Sequence, residues 1–154
     1  MPFQVYRTSS EEETIALGEE LAHQLPPRAV VLLIGQLGAG KTTLAKGIVK
    51  GLGAAQPEEV SSPSFTLIHE YGASPKVYHV DLYRLEEPRE LATLGLEELL
   101  DQDAVVLVEW GERFPWFWPP EHIAIELRMV EGEQREIRVG FPASCHGGLA
   151  PKTP

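Results

Sequence analysis

The sequence predicts an α/β fold in which a mixed parallel and antiparallel sheet is flanked by helices. Two continuous apolar runs, Ala29–Ile34 and 104–108, are typical of parallel strands that are covered on both faces. A glycine-rich segment joins the first run to a stretch with helical spacing. Two further pairs of strand-like segments are each separated by turn residues, which favours antiparallel hairpins.

The length and charge restrict the organisation and the direct partners. A chain of 154 residues fits one domain, which we expect over residues 1–144, followed by a disordered tail over 145–154. The net charge is −10, from 13 Lys and Arg against 23 Asp and Glu, and this composition disfavours a large basic face. We therefore expect proteins and a nucleotide as direct partners, with nucleic acid only indirectly involved.

The expected location is cytoplasmic. The chain has one cysteine, Cys145, so no internal disulfide can form, and this favours a reducing compartment. No apolar run approaches the roughly 20 residues that span a bilayer, and no secretory signal pattern begins the chain. We expect no membrane association.

The first half of the chain predicts a helix, a strand and a second helix. Side-chain oxygens at residues 8–10 precede three acids at 11–13, which is typical of a helix start, and Pro26 with Pro27 ends that helix. The run Ala29–Ile34 is the buried strand. Residues 41–52 then have helical spacing and end at Gly53.

The second half predicts two hairpins around a helix and a buried strand. Residues 54–63 form a loop, and strands over 65–71 and 77–81 flank a turn. A helix follows Pro88 and is weakened by Gly95. The buried strand 104–108, the Pro- and Trp-rich loop 111–120 and a second hairpin with strands over 123–128 and 135–139 complete the order.

The glycine-rich segment matches the P-loop pattern G-x-x-x-x-G-K-[ST] in full. Its glycines let backbone N–H groups surround nucleotide phosphates at a helix N-terminus. Lys41 would contact the β- and γ-phosphates, and the hydroxyl of Thr42 would coordinate Mg²⁺. We predict that ATP is bound by Gly35, Gln36, Leu37, Gly38, Ala39, Gly40, Lys41 and Thr42.

Two acids at strand ends are candidates for holding Mg²⁺ and for catalysis. Glu109 follows a buried run and Asp81 follows residues 77–80, and the carboxyl edge of a parallel sheet is where such folds bind ligands. Either acid alone could be an exposed carboxylate, and the apolar run favours Glu109 as the Mg²⁺ ligand. His79 shares a strand face with Asp81. We favour a structural or hydrogen-bonding role for it over a metal pair.

The Trp-rich loop allows two interpretations. The aromatic residues could pack as a core lid or form a protein-docking surface, and packing is favoured; they are Trp110, Phe114, Trp116, Phe117 and Trp118.

Four ordered segments resemble the TsaE (YjeE) family, the bacterial ATPases of tRNA threonylcarbamoyladenosine biosynthesis. They are residues 35–43 (GQLGAGKTT), 61–65 (SSPSF), 78–85 (YHVDLYRL) and 106–110 (VLVEW). Two small departures are Ser64, where many members have Thr, and Gly111, where Pro is common. The resemblance covers the chain from the first helix to at least residue 110.

The resemblance implies a three-layer, P-loop NTPase-like fold with ATP and Mg²⁺ as cofactors. It implies that Lys41, Thr42 and Thr43 belong to the nucleotide site, that Glu109 is a further Mg²⁺ ligand, and that Asp81 matters for hydrolysis. The segment 61–65 falls where the family has a switch-like loop. The implied partners are the TsaB and TsaD proteins, which modify adenosine 37 of tRNAs reading ANN codons, so tRNA is contacted only through the complex.

Alternative functions are a small-molecule kinase and a nucleotide-gated binding module with negligible turnover. A GTPase is disfavoured because no N-K-x-D segment occurs in the chain. Because no arginine finger is identifiable in the sequence, with Arg84 as a positional exception, we expect slow hydrolysis by the isolated chain. Thr8, beside the first helix, is our candidate for contacting adenine.

Overall fold

The computed structural model describes residues 3–63 and 67–142 as a seven-stranded mixed sheet with helices on both faces. The elements, in chain order, are β1 (Phe3–Thr8), α1 (Glu11–Ala22), β2 (Ala29–Ile34), α2 (Lys41–Gly51), β3 (Ile68–Tyr71), β4 (Lys76–Asp81), α3 (Arg89–Thr93), α4 (Leu96–Leu100), β5 (Ala104–Glu109), β6 (Ile123–Met129) and β7 (Arg135–Gly140). Short 3₁₀ turns occupy Pro57–Glu59 and Gly111–Arg113.

The sheet combines a parallel centre with antiparallel edges, which confirms the predicted fold class. Its strand order is β1-β7-β6-β2-β5-β4-β3. β2 runs parallel to β5 and β6, and β4 runs parallel to β5. The two predicted hairpins are the antiparallel pairs β3–β4 and β6–β7, and β1 pairs antiparallel with β7. The two continuous apolar runs are thus the neighbouring central strands.

The helices divide the core into two parts, one on each face of the sheet. The α1–α2 face packs both long helices against alternate residues of the central strands, including Val31, Leu33, Val105 and Leu107. The α3–α4 face packs the two short helices and the aromatic side chains of Phe114 and Trp118 against the intervening residues, including Val30, Leu32, Val106 and Val108. The fold therefore has three layers, because strand side chains alternate between opposite faces.

Helix α1 begins where the sequence predicts. Ser10 is its N-cap and accepts a hydrogen bond from the backbone N–H of Glu13, at 3.1 Å. The Glu13 carboxylate also accepts from the backbone N–H of Ser9, the residue before the N-cap, at 2.7 Å. α1 then packs closely on α2, since a Cβ added at Gly47 would lie 2.1 Å from the carbonyl oxygen of Ile15. This contact fixes the helix that begins at the glycine-rich loop.

Some elements differ from the sequence prediction. The single helix predicted after Pro88 is wrong: it is two short helices, because Gly95 adopts a left-handed φ of 73° and separates them. β1 was not predicted, since an edge strand with one half-exposed face gives only a short alternating signal. The predicted tail over 145–154 lies outside the described residues. Within residues 3–63 and 67–142, no helix has the length and apolar character needed to cross a membrane.

Candidate functional site

A cleft of about 870 Å³ lies at the carboxyl ends of the parallel strands, over the N-terminus of α2. Its lining includes Lys41 and Thr42 from the glycine-rich segment, and Asp81 and Glu109 from the ends of β4 and β5. The side chains of β2, β4 and β5 reach this edge because all three strands run in the same direction. The structure therefore brings together residues that are 67 positions apart in the chain.

The glycine-rich loop has a backbone that only glycine adopts without strain. Gly38 and Gly40 have φ values of 81° and 104°, in the left-handed region. A Cβ at Gly35 would lie 2.6 Å from the carbonyl oxygen of Leu127, so β6 approaches too closely for any side chain there. The loop ends at Lys41, the first residue of α2, where the free N–H groups and the helix dipole favour an anion.

Lys41 is folded back over its own loop. Its Nζ donates to the carbonyl oxygen of Gly35 at 2.7 Å and lies 3.5 Å from the ring centroid of Trp110. Burial lowers the pKa of Lys41 from its ordinary value of 10.5, and the nearby carboxylates of Glu109, Glu112 and Asp81 oppose that effect. The ammonium group is thus desolvated and held by a carbonyl dipole and an aromatic face.

One carboxylate oxygen of Glu109 accepts two hydrogen bonds. Thr42 Oγ1 donates to Glu109 Oε2 at 2.9 Å, and His79 Nε2 lies 2.6 Å from the same oxygen. Both Glu109 and His79 are buried, with exposed fractions of 4% and 0%. The predicted hydrogen-bonding role of His79 agrees with this contact.

Asp81 lies beside Glu109, and each of the two carboxylate oxygens of Asp81 accepts a hydrogen bond. The two residues are register partners at the ends of β4 and β5. Asp81 Oδ2 accepts from Ser62 Oγ at 3.0 Å, and Oδ1 accepts from the backbone N–H of Tyr83 at 2.9 Å. Ser62 belongs to the predicted switch-like segment 61–65, of which residues 61–63 are described.

The donor set at this edge fits Mg²⁺ only as part of a larger complex. Thr42 Oγ1 and the Glu109 carboxylate are hard oxygen donors and already touch. In the described part of the chain, no group of three or more His, Cys, Asp or Glu residues could hold a metal by itself. Mg²⁺ is usually bound through one or two protein oxygens together with waters and substrate phosphates, and Thr42 Oγ1 and the Glu109 carboxylate are oxygens of that kind.

Comparison with known proteins identifies the family. The family model described as "Threonylcarbamoyl adenosine biosynthesis protein TsaE" matches residues 8–137. The chain belongs to the TsaE family. That match contains the whole glycine-rich loop as well as Asp81 and Glu109. The family takes part in tRNA threonylcarbamoyladenosine biosynthesis.

Individual TsaE proteins and one solved structure agree with the family match. The TsaE protein of Bacillus subtilis strain 168 is 41% identical over 134 residues, which are 86% of this chain and 82% of the relative. The TsaE protein of Aquifex aeolicus is 37% identical over 131 residues, covering 84% and 90%. The crystal structure of Bacillus subtilis YdiB superimposes with a TM-score of 0.77 at 32% identity, covering 96% of this chain and 90% of that one.

The structure adds contacts that sequence reasoning missed. Arg135, from β7, donates through Nε to the carbonyl oxygen of Ala39 at 3.1 Å and so ties the far hairpin to the TsaE glycine-rich loop. The cleft also includes Thr14, which was not predicted, and Arg84, which the sequence offers as the positional exception for an arginine finger. Nothing in the local pattern of Arg135 signals this role, because the contact spans 96 positions.

Thr8 lies next to the cleft. Its hydroxyl is hydrogen-bonded to that of Thr14 at 2.7 Å, and Thr14 is the residue of the two that lines the cleft. The adenine contact of Thr8 stays a prediction, as do the other proposed nucleotide and Mg²⁺ contacts.

The Trp-rich loop divides between the two interpretations. Phe114 and Trp118 are buried in the core of the α3–α4 face, and Trp118 Nε1 donates to the carbonyl oxygen of Gly111 at 2.8 Å. Trp110 faces the cleft over Lys41, whereas Trp116 is 65% exposed. Packing therefore accounts for part of the loop, and Trp110 belongs to the candidate site.

Proposed function

We propose that this protein is a Mg²⁺-dependent ATPase that supports the TsaB–TsaD complex in forming threonylcarbamoyladenosine at position 37 of tRNAs reading ANN codons. The observation that carries the proposal is the direct contact between Thr42 and Glu109 at the N-terminus of α2, beside the lysine of a complete P-loop. Membership in the TsaE family supplies the pathway.

The chain's own residues suit phosphate binding and hydrolysis. The N–H groups of the glycine-rich loop surround the β- and γ-phosphates, and Lys41 leaves Gly35 and Trp110 to pair with them. Thr42 and Glu109 would hold Mg²⁺, which would supply charge neutralisation at the phosphates. Asp81, fixed by Ser62 and the N–H of Tyr83, orients the water that attacks the γ-phosphorus. The bond between that phosphorus and the bridging oxygen breaks, which gives ADP and inorganic phosphate.

The chain's charge supports an indirect role on tRNA. A net charge of −10 disfavours a subunit that grips a phosphate backbone by itself, which supports contact with the TsaB and TsaD proteins in preference to tRNA. A cytoplasmic location is part of the same proposal. We expect slow hydrolysis by the isolated chain and faster hydrolysis with the partners. Arg84 and Arg135 line the cleft. The Arg135 guanidinium donates to the carbonyl oxygens of Ala39 and Gly132, so it is already engaged by the two loops.

The kinase alternative has less support. Kinases bring arginines from a lid onto the transferred phosphate, and Arg89 is the arginine between residues 87 and 103. It is 85% exposed at its side chain, pairs with Glu87 at 2.9 Å and lies outside the cleft lining. The binding module without turnover lacks support because both candidate catalytic acids stand at the cleft.

Turnover measurements with the partner complex test the proposal. We expect Asp81→Asn and Glu109→Ala to lower partner-stimulated ATP hydrolysis by about 10²–10⁴-fold, because each removes a positioned group at the reacting phosphate. Lys41→Ala should lower turnover by about 10²–10³-fold through loss of one phosphate-stabilising cation. Formation of threonylcarbamoyladenosine on tRNA should fall with it.

Lys50→Ala is the matched control, because Lys50 lies near the end of the same helix and away from the cleft. It should keep both activities. Unchanged partner-stimulated hydrolysis in Asp81→Asn and Glu109→Ala would show that the catalytic assignment is wrong. A phosphorylated small-molecule product in place of inorganic phosphate would favour the kinase.

A further inference from the structure

His79 occupies a position where packing alone favours an aliphatic side chain. It lies on β4 between Val77 and Asp81 on the α1–α2 face, in register with Leu107 of β5. Val77 and Leu107 belong to the buried core of that face, and His79 itself is fully buried. Its imidazole is therefore a polar ring at the boundary between the apolar core and the cleft.

The hydrogen bonding of His79 is one-sided. Nε2 lies 2.6 Å from Glu109 Oε2. Among the described residues, Nδ1 is buried without a hydrogen-bond partner. Since a carboxylate accepts hydrogen bonds, Nε2 is the donor in this contact, and Nδ1 is a buried polar nitrogen left unmatched among the described residues. A buried polar atom without a partner lowers stability, so His79 is not explained by its contribution to the core.

The geometry points to a role at Glu109: we propose that His79 is a positioning residue that holds the Glu109 carboxylate at the Mg²⁺ side of the glycine-rich loop. This inference rests on the proposed ATPase function. It assigns no contact with nucleotide to His79, which acts only through Glu109.

Two contacts explain why Glu109 needs a partner besides Thr42. The Thr42 hydroxyl now donates to Glu109 Oε2, but in the proposed complex the same hydroxyl turns its oxygen to Mg²⁺. Asp81 is the register partner of Glu109, so two acids stand side by side at the strand ends and repel each other. His79 is the donor that stays in place through this change, because it is fully buried in the core and contacts the same Glu109 oxygen as Thr42 does.

The first test compares two substitutions with different hydrogen-bonding capacity. His79→Leu fills the buried site with an apolar side chain and removes the Nε2–H donor. His79→Gln places an amide N–H the same number of bonds from the backbone as Nε2. His69→Leu is the matched control: His69 is the register partner of His79 on β3, half-buried and outside the cleft lining. Each variant is titrated with Mg²⁺ while binding of a fluorescent ATP analogue and ATP turnover are followed, and the analogue is also titrated in EDTA.

We expect His79→Leu to raise the Mg²⁺ concentration for half-maximal turnover by about 10–100-fold, the usual effect of losing a group that orients a metal ligand. Its affinity for the analogue in EDTA should stay within about twofold of the wild type, since no phosphate contact is removed. His79→Gln should recover most of the Mg²⁺ dependence, and His69→Leu should behave as the wild type. Thermal unfolding of His79→Leu should occur at or above the wild-type temperature.

Several results overturn the inference and are distinct from failure of the proposed function. If His79→Leu is folded and its Mg²⁺ dependence matches the wild type, or if His79→Gln loses as much as His79→Leu, His79 does not position Glu109. If the wild-type chain binds no ATP analogue with Mg²⁺, the proposed ATPase function itself is wrong.

A spectroscopic measurement tests the contact without any nucleotide. The ¹⁵N chemical shifts of the His79 ring in the wild-type chain should show a protonated Nε2, and Glu109→Gln should shift the Nε2 resonance while leaving that of His69 unchanged. An unprotonated Nε2, or a resonance insensitive to Glu109→Gln, would overturn the inference even if the variants of His79 failed to fold.

Discussion

On the α3–α4 face, β4 and β5 present Tyr78, Val80, Val106 and Val108 to a core completed by leucines and aromatic rings. On the α1–α2 face the same two strands also start apolar, with Val77 and Val105, but end in buried polar residues. Because side chains alternate along a strand, one backbone supports both arrangements. The polar residues are found on the face where α2 begins at the glycine-rich loop.

This difference between the two faces indicates that the α3–α4 face serves mainly stability, whereas the α1–α2 face also carries the residues of the candidate site. Buried charged and imidazole groups lower stability unless they are fully paired, and His79 Nδ1 has no partner within residues 3–63 and 67–142. Among the described residues of β4 and β5, the buried charged and imidazole side chains are His79, Asp81 and Glu109, all on the α1–α2 face, so the other face of these strands contributes apolar burial without that cost. Substitutions on the two faces should therefore act on different properties.

The largest expected effect on stability comes from the α3–α4 face. Leu96 begins α4 and is fully buried, so Leu96→Ala should lower the free energy of unfolding by about 2–5 kcal/mol through lost burial and a new cavity. The affinity of the folded fraction for ATP should stay the same, because Leu96 lies outside the cleft lining. Urea unfolding and ATP binding below the unfolding transition measure the two quantities.

Glu97→Ala, an exposed change on the same helix, is the control for Leu96→Ala and should be nearly neutral. A loss of ATP affinity in folded Leu96→Ala protein would show that the two faces are coupled, contrary to the separation argued above.

A substitution at the candidate site should act in the opposite direction. Lys41→Met keeps an apolar stem of similar length and removes a desolvated ammonium group. Since burial outweighs the nearby carboxylates in lowering the Lys41 pKa, we expect the nucleotide-free protein to gain about 1 kcal/mol while ATP binding is lost. A gain in ATP affinity or a marked loss of stability would contradict this.

The pH dependence of that gain has a definite sign. The unfolded-state pKa of Lys41 is near 10.5 and the folded-state pKa is lower, so between the two values the unfolded chain binds more protons. The free energy of unfolding therefore rises with pH in this window as far as Lys41 determines it. Below the folded-state pKa, the full cost of burying the charged ammonium group is present. Denaturant unfolding of wild type and Lys41→Met across that range should show that the difference between their free energies of unfolding decreases towards pH 10.5.

The sequence predicts the central strands, both hairpins and the start of α1, because these depend on apolar runs, turn residues and a side-chain oxygen followed by acids at the helix start. The position of Asp81 and Glu109 at strand ends beside the glycine-rich loop follows from strand-end reasoning, whereas their pairing in register on neighbouring strands was not predicted. The Arg135 contact with Ala39 and the Trp110 ring over Lys41 could not be predicted, since they depend on how distant segments pack. The split at Gly95 was underestimated because a left-handed φ is a property of the folded backbone.

The smallest expected effect sharpens the contrast between buried and exposed charge on one helix. Lys50 lies in the last turn of α2 and pairs with Glu19 of α1 at 2.8 Å, with its side chain 44% exposed. Lys50→Met is the same substitution as Lys41→Met but removes a solvated, paired cation, so it should lower the free energy of unfolding by about 0.2–1 kcal/mol. The loss should shrink in high salt, and ATP affinity should not change. If Lys50→Met stabilised the protein as much as Lys41→Met, methionine packing and not desolvation of the Lys41 ammonium would account for both changes.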